Sequence, residues 1–283
     1  MYCDYYQFAS APFENTPDPR FFYASEQHRE ALAAIEYSIR MRKGIVLITG
    51  DIGAGKTTVV RTMLHRCGKD ATIVQLNHGH RTAGEMLAHL LRSLGFEQTD
   101  ETSHAMMLER LEAHLLQCAQ AGRPVILFID EAQTLSDVAL EELRLISNFD
   151  TETFKLLQLV LIGQPELRER LSAPHMAPLR QRLVIARRIP PLACEETNAY
   201  IHHRMTIASI CRDAVHARFD ADATLRIHRF TGGIPRLINT VCDNCLLLGM
   251  VKQSPRITDA MVRRVIADMI PGLPAPTPLC QAA

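Results

Sequence analysis

Gly50-Asp51-Ile52-Gly53-Ala54-Gly55-Lys56-Thr57 follows the apolar run Ile45 to Thr49 and precedes a helical pattern from about Lys56 to Cys67. Glycines at 50, 53 and 55 let the backbone curl tightly enough to aim successive N–H groups at one anion, and the helix N-terminus adds partial positive charge. The spacing G-x4-G-K-T between a strand and a helix is that of a phosphate-binding loop. Lys56 is expected to meet the β- and γ-phosphates, and Thr57 to offer its hydroxyl to Mg2+. The phosphate-binding set is therefore Gly50, Asp51, Ile52, Gly53, Ala54, Gly55, Lys56 and Thr57, with Thr58 adjoining it. A purely structural glycine bend accounts poorly for this spacing.

A second stretch, Val125-Ile126-Leu127-Phe128-Ile129-Asp130-Glu131, is an apolar strand ending in two acids. Strand C-termini in an open α/β sheet face the ligand crevice, which sends both carboxylates toward the phosphates. Asp130 is expected to hold Mg2+ and Glu131 to orient and polarise an attacking water, assistance worth about 10²–10⁴ in rate. Alone, such a pair also serves as a solvated strand cap. The chain has no Asn-Lys-x-Asp tetrapeptide, which argues against a guanine-reading protein. Asp130-Glu131-Ala132-Gln133 resembles a helicase box, yet 283 residues do not accommodate the two core domains such a helicase needs.

Outward from these motifs, candidate strands at 45–49, 72–76, 125–129, 156–162 and 183–189 alternate with amphipathic helices at about 56–67, 84–94, 103–121 and 137–148. Five buried strands with crossover helices predict an α/β fold with a parallel sheet. After Pro190 and Pro191 the strand signal ends, and the chain reads as helices to Met269. The expected parts are an arm (1–24), a core (25–190), a smaller all-helical lid (191–270) and a tail (271–283) too proline-rich to continue a helix. The arm holds half of the chain's Phe and Tyr in a run with no helical period, which predicts an extended segment docked against a surface that buries them. Ser25 followed by Glu26 marks the start of the next helix.

Composition bounds the rest. Lys+Arg and Asp+Glu are both 31 and the hydrophobic share is 47%, excluding a disordered or polybasic chain. No apolar run nears the roughly 18 residues of a membrane span, and Met1-Tyr2-Cys3-Asp4-Tyr5 does not open like a secretory signal, so the expectation is a cytoplasmic protein without an integral membrane segment. Eight scattered cysteines fit free thiols. Cys242 and Cys245 have CxxC spacing without the further ligands zinc requires, and Leu237, Val241, Cys245 and Leu248 recur at helical spacing, which predicts core packing.

Three further positions attract attention. Gln164, after the fourth strand, could reach a γ-phosphate or its water, or simply form a turn. Arg168, Arg170, Arg180, Arg182, Arg187 and Arg188 face a single Glu169 between 168 and 190, either as a solvated face or, for Arg180 and Arg182, as groups able to enter a neighbouring subunit's phosphate site. Gly232-Gly233-Ile234-Pro235-Arg236 opens a helix at a preorganised first turn, holding Arg236 where it could reach back to the phosphates or remain a surface arginine.

Several runs add to these motifs: Ala11-Pro12-Phe13, Thr16 to Phe21, His28 to Leu32, Leu143 to Asn148, Gly163 to Leu167, Leu179 to Arg182 and Gly232 to Asn239. Together they make the chain resemble, from Met1 to about Met269, an AAA+ ATPase of the ExeA/GspA family. The resemblance implies a P-loop NTPase of AAA+ type with Walker A at 50–57 and Walker B at Asp130 and Glu131. It further implies sensor 1 at Gln164, an arginine finger at Arg182 or else Arg180, and sensor 2 at Arg236. It implies ATP and Mg2+ bound at the core–lid junction, ATP hydrolysis, and a homo-oligomeric ring or filament. The implied partner is an envelope secretion, exosortase or polysaccharide-export, or pilus-assembly system, with a peripheral location at the inner face of the membrane. Kinship to transposon target-selection and origin-recognition ATPases implies the alternative of double-stranded DNA binding. Secretion members carry a membrane span and a peptidoglycan-binding domain after the ATPase; these 283 residues contain neither, so a partner supplies them or the duty differs.

Overall fold

Along the chain run α1 (Tyr2–Tyr6), α2 (Glu26–Arg40), β1 (Ile45–Gly50), α3 (Lys56–Cys67), β2 (Thr72–Leu76), α4 (Ala83–Ser93), α5 (His104–Gln120), β3 (Val125–Ile129), α6 (Asp137–Ile146), β4 (Leu157–Gly163), α7 (Pro165–Ser172), α8 (Ala177–Arg180) and β5 (Leu183–Ile189). There follow α9 (Cys194–Ala208), β6 (Arg218–Phe219), α10 (Ala221–Thr231), α11 (Pro235–Val251), β7 (Arg256–Ile257) and α12 (Asp259–Asp268). This is a computed structural model, and it describes residues 1–16, 18–67, 71–76, 82–97, 103–210 and 218–269. Pro17 and the expected tail lie outside the described residues.

The chain divides into two compact units, one of Glu26–Gly50 and Val59–Ile189, the other of Met1–Ser25, Asp51–Thr58 and the chain from Pro190 on. The first is built on a five-stranded parallel sheet of order β2-β3-β4-β1-β5. Alternation explains why both faces are covered. Ile45, Leu47, Leu127, Ile129, Leu159 and Leu161 enter one core with Leu87, Leu90, Leu111 and Leu143 of the helices. Val46, Ile48, Ile126, Phe128, Val160 and Ile162 are buried on the opposite face. Side-chain caps set three helix starts: Thr82 and Glu85 form a capping box for α4, Ser103 caps α5, and Ser136 caps α6. Because β1 and β3 both pair with β4, with Thr49 opposite Gly163 and Ile129 opposite Leu161, their C-terminal ends leave one edge of the sheet. Gly50, Asp130 and Gln164 thus depart from the same edge.

In the second unit the arm supplies core. Tyr6, Phe8, Phe13 and Phe21 are buried with Tyr200, Met205, Ile227, Val241, Cys245 and Val262 of the helices, each large side chain contributing about 1.5–3 kcal/mol by leaving water. Backbone bonds fix its path: Ala9 N donates to Ala208 O (2.7 Å) and Ile210 N to Gln7 O (3.0 Å). Arg204, itself buried, donates from Nε to Pro12 O (2.6 Å), from Nη2 to Glu14 O (3.0 Å) and from Nη1 to the Tyr200 hydroxyl (2.8 Å), and its guanidinium lies 4.9 Å from the centre of the Phe21 ring. Tyr200 donates on to Asn239, whose amide reaches Asn15.

Three expectations need correction. The arm is not extended throughout: α1 and a 3-10 turn at Pro19–Phe21 interrupt it. The region after Pro191 is not wholly helical, because β6 and β7 pair in parallel, two residues each. Helices α7 and α8 stand between β4 and β5, where the periodicity singled out none; both open on proline-containing turns and are short.

Candidate functional site

The glycine loop begins where β1 ends. Ala54 N donates to Asp51 O (3.1 Å), and the buried Lys56 reaches across the bend with Nζ donating to Asp51 O (3.0 Å). Thr58 N donates to Gly55 O as α3 begins, so Lys56, Thr57 and Thr58 form its first turn. Gly53 and Gly55 adopt φ of 82° and 95°, a region that side chains disfavour. Space decides Gly53 further, since a Cβ there would stand 2.7 Å from Arg236 Cβ and 3.2 Å from Ile234 Cγ2. Arg236 N donates to Gly53 O at 3.3 Å, which ties the N-terminus of α11 to the loop. The approach to α11 is equally tight: Gly233 passes so close to Leu192 that a Cβ would fall 2.0 Å from its carbonyl oxygen. Arg236 is exposed, and among the described residues its guanidinium makes no hydrogen bond or ion pair.

At the sheet edge, Asp130 is buried, its N–H donates to Leu76 O (2.9 Å), and its Oδ1 accepts from Glu131 N (3.0 Å). Glu131 turns the chain with φ of 53°, unusual for a residue with a side chain, a strain of about 1–3 kcal/mol that the surrounding structure must support. Its Oε2 accepts two hydrogen bonds, from Gln133 Nε2 (2.5 Å) and from Gln164 Nε2 (3.2 Å). Gln164 is thus beside Glu131, joined further by its N–H donating to Gln133 Oε1 (3.0 Å). Gln133, not singled out as a site residue from sequence, is part of this cluster; its signal in the sequence is its place in the run Asp130-Glu131-Ala132-Gln133.

The arginines from 168 to 190 do not form one free basic surface. Arg170 donates to Gln133 O (2.8 Å) and pairs with Asp137 (2.5 Å), and this guanidinium holds the Asp137 carboxyl below its ordinary range. Arg180 Nη1 donates to Leu171 O (3.1 Å) and Ser172 O (2.9 Å), satisfying the end of α7. Arg187, on the exposed edge strand β5, lies 3.8 Å from Glu30. Arg188 is also exposed on β5, and Arg168 on α7. Arg182 sits in the turn before β5, half-buried, and among the described residues its guanidinium has no hydrogen bond or ion pair.

Cys242 and Cys245 are both buried within the helical core. Burial pushes both thiols up, Cys245 to about 12, so neither is a ready thiolate. Among the described residues no three His, Cys, Asp or Glu side chains gather as a metal-binding group.

A nucleotide and its cation suit the chemistry of these residues. The glycine bend, closed to a Cβ at Gly53, carries an ammonium at Lys56 and a helix N-terminus, the features of a phosphate cradle. Thr57 on the loop and Asp130 at the end of β3 are each of the oxygen-donor type that a hard divalent cation takes.

Comparison with known proteins accords with this. An AAA domain matches residues 39–171. General secretion pathway protein A of Aeromonas hydrophila is 35% identical over 257 residues, 91% of this chain and 46% of that protein; the chain spans about half the length of this relative. Among solved structures, Cdc6p from Pyrobaculum aerophilum aligns over 93% of this chain and 72% of its own at 16% identity, with a TM-score of 0.68. Drosophila ORC bound to DNA aligns over 92% and 65% at 16% identity (TM-score 0.67). The Thermotoga maritima RuvB Holliday junction branch migration motor aligns over 86% and 68% at 19% identity (TM-score 0.56). Loop, sheet order, acidic strand end and these likenesses agree: the chain has a P-loop NTPase fold of AAA+ type, carries an AAA domain at residues 39–171, and is similar along most of its length to General secretion pathway protein A.

Proposed function

We propose that the chain binds ATP with Mg2+, hydrolyses it, and acts as a homo-oligomer whose cycle drives an envelope system of the secretion, polysaccharide-export or pilus-assembly kind. The observation that carries the nucleotide reading is the packing of Arg236 on Gly53: the Arg236 backbone N–H and Cβ stand against the loop and leave no room for a side chain there. The Arg236 guanidinium is the second cation assigned to the phosphates. Residues Gly50 to Thr58 take the phosphates, with Lys56 supplying charge. Thr57 and Asp130 hold the magnesium ion, which when bound neutralises phosphate charge. Glu131 orients the attacking water, Gln164 stands beside it at the terminal phosphate, and Arg236 senses the same group. Arg182 is the finger offered to a neighbouring protomer, because Arg180 is engaged on the carbonyls of α7.

The envelope duty rests on the kinship to a secretion protein along most of this chain. No helix among the described residues is long and apolar enough to cross a membrane, and a peripheral position at the inner face of the membrane completes the reading. Binding to double-stranded DNA has less support, since Arg170 and Arg180 are committed within the fold and formal net charge is zero.

The test compares Glu131→Gln with the unmodified chain. ATP binding by calorimetry should persist while turnover falls about 10²–10⁴-fold; an unchanged rate would sink the assignment. Turnover stimulated by double-stranded DNA, with salt-dependent binding, would favour the DNA duty instead.

A further inference from the structure

We propose that Gln133 is a positioning residue for ATP hydrolysis, acting through Glu131 by holding one carboxylate oxygen and tying it to the end of β4. This deepens the hydrolytic reading above and rests on it.

The geometry is a closed ring through Glu131, Gln133 and Gln164, in which Gln164 takes part with both its backbone N–H and its side chain. Gln133 Nε2 donates to Glu131 Oε2 at 2.5 Å, Gln133 Oε1 accepts from Gln164 N at 3.0 Å, and Gln164 Nε2 returns to Glu131 Oε2 at 3.2 Å. The carboxylate can only accept and the backbone N–H can only donate, so the Gln133 amide fits in one orientation; flipped, it would set oxygen against oxygen and NH2 against N–H. The 3-10 turn carrying Gln133 is braced from behind, because Arg170 donates to its carbonyl at 2.8 Å while also holding Asp137. Gly163 completes the fit: a Cβ there would lie 2.9 Å from Gln133 Oε1.

With both amides on Oε2, Glu131 Oε1 makes no hydrogen bond among the described residues. One oxygen is pinned and the other is left to accept from water. An unpinned carboxylate explores other rotamers, and misplacement of about 1 Å costs on the order of 10²-fold in rate. Gln133 thereby makes the direction of Glu131 depend on where Gln164, at the end of a different strand, lies.

The experiment uses the full chain. Gln133→Ala should lower kcat about 10- to 100-fold while leaving the calorimetric Kd for ATP unchanged. On a Glu131→Gln background it should cause no further loss, whereas a residue acting only on stability would lower both backgrounds. Independently of turnover, in nucleotide-free protein labelled with 15N-glutamine, Glu131→Ala should shift two glutamine side-chain signals, one of them missing from the Gln133→Ala spectrum. Should Gln133→Ala fail to fold, Gly163→Ala, which leaves Gln133 present but displaces its amide, should reproduce the kcat loss. Normal kcat in the Gln133→Ala chain, or glutamine signals indifferent to Glu131→Ala, overturns the inference while hydrolysis itself stands. Absence of turnover by the unmodified chain overturns the hydrolytic reading and this inference with it.

Discussion

Both units bury some polar side chains, but the sheet unit and the helical unit place their linked polar clusters differently. In the sheet unit, leucine, isoleucine and valine alternate across both faces of the parallel strands, and the polar cluster of Glu131, Gln133 and Gln164 gathers where strands end. In the helical unit, a polar group lies inside: Arg204 is buried and, among the described residues, hydrogen-bonds only neutral acceptors, two arm carbonyls and the Tyr200 hydroxyl, with the Phe21 ring beside it. A buried cation satisfied only by neutral acceptors ties those acceptors to one arrangement, because losing any of them exposes an expensive charge. Substitutions at the sheet edge should therefore alter chemistry more than stability, and those around Arg204 stability more than chemistry.

The largest expected effect carries that contrast to the other end of the sheet, where Arg182 precedes β5. Arg182→Ala should bind ATP normally yet lose turnover by up to about 10³–10⁵-fold. Mixing it with a Lys56→Ala chain should restore part of the rate, since one protomer then supplies the finger and the other the nucleotide. Steady-state assays of the mixture check this, and no recovery would argue against a finger supplied between protomers.

Next in size, Arg204→Ala should destabilise the chain by about 2–4 kcal/mol, read as a lower urea midpoint, with turnover per folded molecule little changed. A loss well under 1 kcal/mol would mean that the arm aromatics alone hold the arm, and the contrast between the units would fail.

The smallest effect concerns acid. Burial is the leading cause lowering the pKa of both His203 and His228 from 6.5. The unfolded chain therefore takes up protons more readily, and this contribution to stability is complete above about pH 6.5 and lost as pH falls below it. Urea midpoints should drop between pH 7.5 and 5.5, and His203→Gln with His228→Gln should reduce that drop. An equal drop without the two histidines would refute the assignment.

Local pattern carried much of the fold. Val125–Ile129 emerges as a strand over the expected residues, and β1 and β4 differ only at their ends, because a strand buried on both faces writes itself as a continuous apolar run. Leu183–Ile189 also forms where expected, but as an edge strand it is mostly exposed and carries two arginines, so the expectation of five buried strands fails there. The two-residue strands β6 and β7 leave no such trace, being too short for any period. The arm aromatics announced burial, but which surface receives them depends on α9 and α11, some 200 residues later in the chain.

For the candidate site, the glycine spacing and the paired acids stand out in the sequence by themselves, because each is a run of neighbours that needs no fold to bring it together. What Arg180 and Arg182 do differently could not, since it turns on whether the carbonyls of Leu171 and Ser172 come within reach of one of them. The same holds for Gln133, an ordinary glutamine until Gln164 and Gly163 are brought against it. Composition and spacing set the strands, the phosphate loop and the need to bury the arm, all of which follow from short-range sterics and hydrophobicity. Tertiary structure alone chose which polar atoms meet, because a hydrogen bond between residues distant in sequence exists only once the strands carrying them lie side by side.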